Sequence, residues 1–149
     1  MEKPLVSVCI PAYNSAAYIK ETIDSVLRQT YENIELIVCD DLSSDNTVEV
    51  IESISDSRIR LVRNQNNLGM SGNWNNCLSH CSGEFIKLLC ADDVLAENAV
   101  EKEAEALIQN PSAVLSCSDT QLFDSEGKPK GKYRRYPKAT RSEERRVGK

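Results

Sequence analysis

The sequence predicts an α/β fold with a mainly parallel sheet. Three observations predict it. Short apolar runs rich in β-branched residues recur along the chain, helical periodicity fills the gaps between them, and Asp pairs stand at or just past the ends of two runs. The first run, Leu5-Val6-Ser7-Val8-Cys9-Ile10, reads as a strand buried on both faces and ended by Pro11. Residues 16–28 place Ile19, Ile23, Val26 and Leu27 at helical spacing, with Ser15 as the expected N-cap. Residues 34–39 form the second expected strand, closed by Asp40-Asp41. Asp45 can cap a helix that carries Val48, Ile51 and Ile54 on one face. Residues 59–62 are a short third strand, and Asn66-Asn67-Leu68-Gly69 is a turn. A helix over 72–81, stopped by Gly83, precedes a fourth strand over 85–89 and the second pair, Asp92-Asp93. A helix over 96–109 and a fifth strand over 114–118 follow. Asp124-Ser125-Glu126-Gly127 then reads as a hairpin turn.

The chain has 149 residues, 40% of them hydrophobic and 28% charged, which suits one globular domain with a real core. No apolar run approaches the roughly 18 residues of a membrane span. The stretch after Met1-Glu2-Lys3 is too short for a signal peptide. The expected location is the cytoplasm, or the inner face of a membrane reached through regions outside this chain. The six cysteines form no C-x-x-C pair, and four lie in or beside strand-like runs, so buried free thiols are expected. Cys77 and Cys81 with His80 lack a fourth ligand at zinc spacing. His80 falls near a helix end, where a cation suits the dipole, and is expected at the surface.

The net charge of −5 is unevenly spread. Residues 128–149 hold ten of the eighteen basic residues and only two acids, which leaves eight bases against twenty-one acids in residues 1–127. An acidic globular part excludes nucleic acid as a natural partner and favours a divalent cation. Part of the basic tail has its own reading. Arg141-Ser142-Glu143-Glu144-Arg145-Arg146-Val147-Gly148-Lys149 matches the in-frame translation of a common sequencing-library adapter. On that reading the native sequence stops near Thr140, and residues 141–149 carry no function.

Ligands of open parallel sheets bind at the carboxyl ends of strands. Three segments qualify: Pro11-Ala12-Tyr13-Asn14, Asp40-Asp41 and Asp92-Asp93. Carboxylates repel a nucleoside diphosphate directly. They can hold Mg2+ or Mn2+, which bridges to phosphate oxygens and stabilises a departing diphosphate. Taken alone, an Asp pair after a strand equally suits a loop cap or a phosphoacceptor domain.

The ordered series is more specific. Val6-Ser7-Val8-Cys9-Ile10-Pro11-Ala12-Tyr13-Asn14 is followed by Ile34-Glu35-Leu36-Ile37-Val38-Cys39-Asp40-Asp41 and Ser43-Ser44-Asp45-Asn46-Thr47. Asn67-x-Gly69, Gly83-Glu84-Phe85-Ile86 and Leu89-Cys90-Ala91-Asp92-Asp93 come next. Over residues 4–125 this series resembles the family 2 glycosyltransferases. The resemblance implies a GT-A fold, a Rossmann-like three-layer sandwich, here truncated at its C-terminus. Residues 4–125 would be the nucleotide-sugar-binding half and 126–140 the start of the acceptor half. It implies transfer of a sugar, with inversion, from a nucleotide-diphosphate sugar, UDP favoured, to a saccharide or lipid-linked acceptor in cell-surface polysaccharide synthesis. Pro11, Ala12, Tyr13 and Asn14 would line the donor pocket. Asp41 would accept from the base, with Asp40 beside it. Asp93 would bind Mn2+ or Mg2+, helped by Asp92, which could also contact ribose or diphosphate.

The chain departs from the family pattern in two places. Relatives often read Asp-x-Asp-Asp where this chain has Cys90-Ala91-Asp92-Asp93, and Ala-Arg-Asn where it has Asn73-Trp74-Asn75. Trp74 suits core packing better than a ligand platform, while Asn75 suits pocket lining and a local hydrogen bond equally. The catalytic base of the family lies well downstream of the metal motif, and Asp119 and Asp124 are too close to it. No base is therefore assigned, and the chain by itself is expected to be inactive. The alternative is a non-catalytic nucleotide-binding or receiver-like α/β module. No glycine-rich loop follows the first strand, and no Lys lies between Lys102 and Lys128, as a dinucleotide enzyme or a receiver would respectively need.

Overall fold

The protein is described by a computed structural model over residues 3–124 and 126–133. Four parallel strands make the main sheet: β1 (Val6–Ala12), β2 (Ile34–Asp40), β3 (Ile59–Arg63) and β4 (Phe85–Leu88), in the spatial order β3-β2-β1-β4. Four helices accompany them: α1 (Ile19–Leu27), α2 (Thr47–Glu52), α3 (Gly69–Ser79) and α4 (Ala99–Gln109). A separate antiparallel hairpin pairs β5 (Thr120–Phe123) with β6 (Pro129–Tyr133).

Side chains alternate across a strand, and both faces of this sheet are covered. Val6, Val8, Ile10 and Ala12 of β1 and Leu36 and Val38 of β2 pack with α1, α2 and α4 through Ile19, Ile23, Val26, Ile51, Val100 and Ala104. On the other face Cys9, Ile37 and Cys39 meet Cys77 of α3. The layers are helix, sheet, helix, as the resemblance implied. Two-sided burial explains why all seven residues of β1 are buried and why the run is apolar without alternation. Among the described residues no helix is long and apolar enough to cross a membrane.

The boundaries differ from the sequence reading in instructive ways. Pro11 does not end β1 but pairs in register with Cys39. The backbone groups of β1 alternate sides: Val6 N donates to Asn33 O toward β2, and Cys9 O accepts from Leu89 N toward β4. Pro11 has the parity of Cys9, so its missing N–H faces the β4 side, where pairing has already stopped at Leu88. Ser15 starts the turn into α1 with its carbonyl, which accepts from Tyr18 N and Ile19 N, while its hydroxyl donates to Tyr13 O. Asn46, not Asp45, is the N-cap of α2, but Asp45 just before it accepts from Thr47 N at 3.0 Å, and its other oxygen accepts from Ala16 N at 3.1 Å. One carboxylate thus serves the entries to two helices.

Gly83 does not stop a helix through a left-handed bend. A Cβ at this position would lie 2.7 Å from Leu5 O and from Ser7 N, so glycine is needed for close approach to β1. Its N–H donates to Ser7 Oγ at 2.7 Å. The expected strand over 114–118 is absent. Val114 is 98% exposed, and Ser116 and Ser118 donate instead to Glu103 O and Glu103 Oε1 on α4. This leaves β4 as an edge of the main sheet. The expected turn at 124–127 does form: Asp124 Oδ1 accepts from Glu126 N and Lys128 N. All six cysteines are free; Cys9, Cys39 and Cys77 are buried, Cys81 and Cys90 half-buried, and Cys117 exposed where its strand failed to form. The adapter-like segment 141–149 lies outside the described residues.

Gly83→Ala is expected to destabilise the protein by about 1–3 kcal/mol, the usual penalty of overpacking. A lowered urea midpoint with an unchanged m-value is the measurement; an unchanged midpoint would contradict the close-approach role.

Candidate functional site

Sequence order separates the three strand-end segments, and strand order reunites them. β1 lies between β2 and β4, with Ala12 opposite Asp40 and Cys9 opposite Leu88. The chain therefore leaves β2 on one side of the β1 end and β4 on the other. β2 and β3 run out one way from β1 and β4 lies the other way, which makes this a switch point with a crevice at the carboxyl ends. Pro11-Ala12-Tyr13-Asn14 sits in the middle, flanked by Asp40-Asp41 and by Cys90–Asp93.

The two aspartates at the β2 end have different jobs. Asp41 is 3% exposed and committed to the protein: its Oδ1 accepts from Asn64 Nδ2 and from Leu68 N, both at 2.8 Å. Its carbonyl accepts from Asn67 Nδ2, and its N–H donates to Ala12 O. Asn73, also buried, extends the network. Its Nδ2 donates to Cys39 O at 3.0 Å, and its Oδ1 accepts from Asn64 Nδ2 at 2.9 Å. Asn76 Nδ2 closes it on Asn64 Oδ1. Asp40 is 2% exposed; its Oδ2 accepts from Ser43 N at 3.2 Å, but its Oδ1 is buried with no partner. An unpaired buried carboxylate oxygen is costly, so an oxygen in that state at a ligand crevice is a vacant acceptor.

The loops after β1 and β2 are bolted together. Asn14 N donates to Ser43 Oγ at 2.9 Å, and Ser44 N donates to Asn14 Oδ1 at 2.8 Å. Both loops contain a non-glycine residue in the left-handed region, Asn14 at φ 47° and Leu42 at φ 63°. Asn tolerates this conformation and Leu does so at a cost. Tyr13 is 52% exposed beside them, a rim position.

The third segment folds as a turn, Asp93 N donating to Cys90 O at 3.1 Å. It brings Cys90 Sγ and one oxygen each of Asp92 and Asp93 within 4.8 Å of one another. Loss of surrounding water first, and the Asp92 charge second, push the Asp93 carboxyl above the usual carboxylate range. Loss of water and then the charges of Asp93 and Asp92 push the Cys90 thiol up. Two carboxylates and a sulfur crowded in this way fit a divalent cation, which would relieve the repulsion. The turn is anchored from α1: Thr22 Oγ1 donates to Ala91 O at 2.9 Å, and Ser25 Oγ accepts from Leu95 N. Gln29 then donates to Ala96 O and accepts from Val100 N.

Thr22, Ser25, Gln29, Asn64, Asn73 and Asn76 were not singled out by sequence reasoning. The signal for Thr22, Ser25 and Gln29 was available: polar residues at i, i+3 and i+7, two of them on the inward side of α1 and the third just past its end. The asparagines gave none, because their roles depend on which face of α3 meets the sheet. Asn75 is exposed on α3, between buried Asn73 and half-buried Asn76, and Trp74 is half-buried. His80 caps α3 at a half-buried position, its carbonyl accepting from Arg60. Among the described residues Cys77, Cys81 and His80 form no metal-binding group.

Asn73→Ala strips a donor from Cys39 O and an acceptor from Asn64. It is expected to cost about 1–3 kcal/mol in urea unfolding, the penalty for orphaned buried polar groups. A shift below measurement error would mean that the asparagine network is not structural.

A family model described as glycosyl transferase family 2 matches residues 7–148. A glucosyltransferase of Escherichia coli, UDP-Glc:alpha-D-GlcNAc-diphosphoundecaprenol beta-1,3-glucosyltransferase WfgD, is 44% identical over 110 residues, 74% of this chain and 44% of that protein. TarS of S. aureus in complex with UDP superimposes with a TM-score of 0.65 at 29% identity, over 70% of this chain and 32% of that one. The mannosyltransferase PcManGT of Pyrobaculum calidifontis, in complex with GDP-Man and Mn2+, gives 0.60 at 29% identity, over 68% and 32%. The chain spans about half or less of these relatives' length. With a family match over nearly its whole length and GT-A neighbours for its fold, this chain belongs to glycosyl transferase family 2.

Proposed function

We propose that residues 4–125 form the donor-binding half of an inverting glycosyltransferase. The donor is a sugar on a nucleoside diphosphate, UDP being favoured, and the acceptor is a saccharide or a lipid-linked glycan in cell-surface polysaccharide synthesis. The observation that carries this reading is the vacant Asp40 Oδ1, set in a switch-point crevice with a cation-type donor set on its far side. The ligands bound in the neighbouring structures, UDP, UDP-GlcNAc and GDP-Man, support the donor class. The lipid-linked substrate named for WfgD supports the acceptor class.

The roles follow from what each group has left to offer. Asp40 accepts an imide N–H of the base, because its Oδ1 is vacant. Asp41 stands beside it as the clamp of the loop, because its Oδ1 is already filled. This revises the order expected from the resemblance. Pro11, Ala12, Tyr13 and Asn14 line the nucleoside, with the exposed Tyr13 ring available for packing on the base. Asn75 lines the outer pocket from α3. Asp93 and Asp92 would hold Mn2+ or Mg2+. When bound, the cation supplies charge that neutralises the diphosphate as the sugar departs. No proton-accepting carboxylate is assigned within residues 4–125, so the chain alone binds donor without turnover.

Titration calorimetry of the full chain with UDP, GDP and dTDP, with and without Mn2+, tests this reading. Metal-dependent UDP binding is expected, with Asp40→Asn weakening it about tenfold, one charge-assisted hydrogen bond's worth. A folded chain that binds none of the three overturns the reading.

Asp93 adds a pH signature. Its folded carboxyl sits above the ordinary 3.8, so the folded state holds that proton more tightly than the unfolded state. The resulting stability is present below 3.8 and lost as pH climbs through the raised value. Asp93→Asn should therefore raise the melting temperature of the metal-free chain at neutral pH and abolish the stabilisation by Mn2+. A retained Mn2+ shift would move the cation elsewhere.

A further inference from the structure

The carboxylates account for two donors at the turn after β4 and leave Cys90 without a task. Its position argues against an idle thiol. Cys90 is half-buried at the strand end, while Asp92 and Asp93 stand exposed. The sulfur and both carboxylate oxygens lie within 4.8 Å of one another, close enough for one ion to reach all three with small side-chain adjustments. The turn that carries them is not free to drift. Asp93 N closes it on Cys90 O, and α1 holds it through Thr22 Oγ1 on Ala91 O and Ser25 Oγ on Leu95 N.

We propose that Cys90 Sγ ligates the bound cation directly, together with Asp92 and Asp93, and that this biases the site toward sulfur-seeking divalent ions over Mg2+. The inference rests on the cation reading above. Mg2+ demands hard oxygen donors in near-octahedral array, whereas thiolate favours Zn2+ and Cd2+ and tolerates the lower coordination of a three-donor turn. The step balances simply. The metal–sulfur bond forms as the S–H proton leaves to solvent, and no electron is transferred. The other five thiols do not share the site: Cys9, Cys39 and Cys77 are buried between α3 and the sheet, half-buried Cys81 packs against that same cluster, and Cys117 lies exposed beyond α4.

The test is ultraviolet titration of the full chain with Cd2+, read as the thiolate-to-metal charge-transfer band, with Mn2+ and Mg2+ affinities measured in parallel by calorimetry. Cys117→Ser provides the background, since it removes the exposed thiol. In that background the band should saturate near one equivalent, and Cys90→Ser should remove it and weaken Cd2+ binding about ten- to a hundredfold. Cys90→Asp restores a hard donor; it should lack the band and shift the Mn2+-to-Cd2+ preference by a similar factor toward Mn2+. A band that persists in both Cys90 variants, or one absent from the parent, overturns the proposal. Asp93→Asn separates the two levels of the argument. If it weakens Mn2+ binding while Cys90→Ser changes nothing, the aspartates hold the cation without sulfur. If it alters no cation's affinity, the metal reading itself fails.

Discussion

The double pairing of β1 is the constraint on which the rest of the structure depends. β2 hydrogen-bonds along one edge over seven residues, and β4 along the other over four. That mismatch in length creates the crevice: β1 and β2 continue side by side to Ala12 and Asp40, while β4 stops level with Cys9. It also explains two residues that look wrong locally. Pro11 is tolerated inside a central strand because its missing donor faces the vacated stretch. Gly83 is required because β4 must start against Leu5 and Ser7 with no room for a Cβ. Any shift in the β4 register would move the turn at 90–93 relative to the ends of β1 and β2.

Polar side chains inside the protein hold this geometry, and nearly all are satisfied. Asn73 supplies donors to the ends of β1 and β2, while Asn64 carries the connection on to Asp41. Thr22, Ser25 and Gln29 do the equivalent work for the segment after β4. Buried polar groups of this kind rigidify a site when every partner is present and are expensive when one is missing. Against that background the orphan oxygen on Asp40 stands out: among the described residues it is the one buried side-chain oxygen or nitrogen left without a partner.

The charges tell the same story from the electrostatic side. Loss of water first, and neighbouring negative charge second, make Asp93 and Cys90 hold protons more tightly than they would in water, so the turn is a destabilised element. Stability given up at a site is commonly the mark of a ligand that restores it. The acidic character of residues 1–127 points the same way, since a cation must bring any diphosphate to this surface.

Most of the fold was legible in the amino-acid order. Unbroken apolar runs announced strands buried on both faces, periodic stripes announced α1 and α4, and acids after strand ends marked the candidate site. The strand expected over 114–118 was wrong because apolar runs report a wish for burial, not the presence of a partner, and Ser116 and Ser118 found partners on α4 instead. Asn75 drew attention by its place in a motif, but Asn73 and Asn76 are the residues woven into the network, a distinction set by the rotation of α3 against the sheet. The resemblance pointed to Asp41 as the acceptor with Asp40 beside it, whereas in space Asp41 Oδ1 is already filled and Asp40 Oδ1 is not. By itself, then, the sequence determined which segments become strands and which residues can carry charge at their ends. Only the tertiary structure decided that β4 lies beside β1, and therefore which ends face one another, because strand order rests on hydrogen bonds between residues some eighty positions apart that no local pattern encodes.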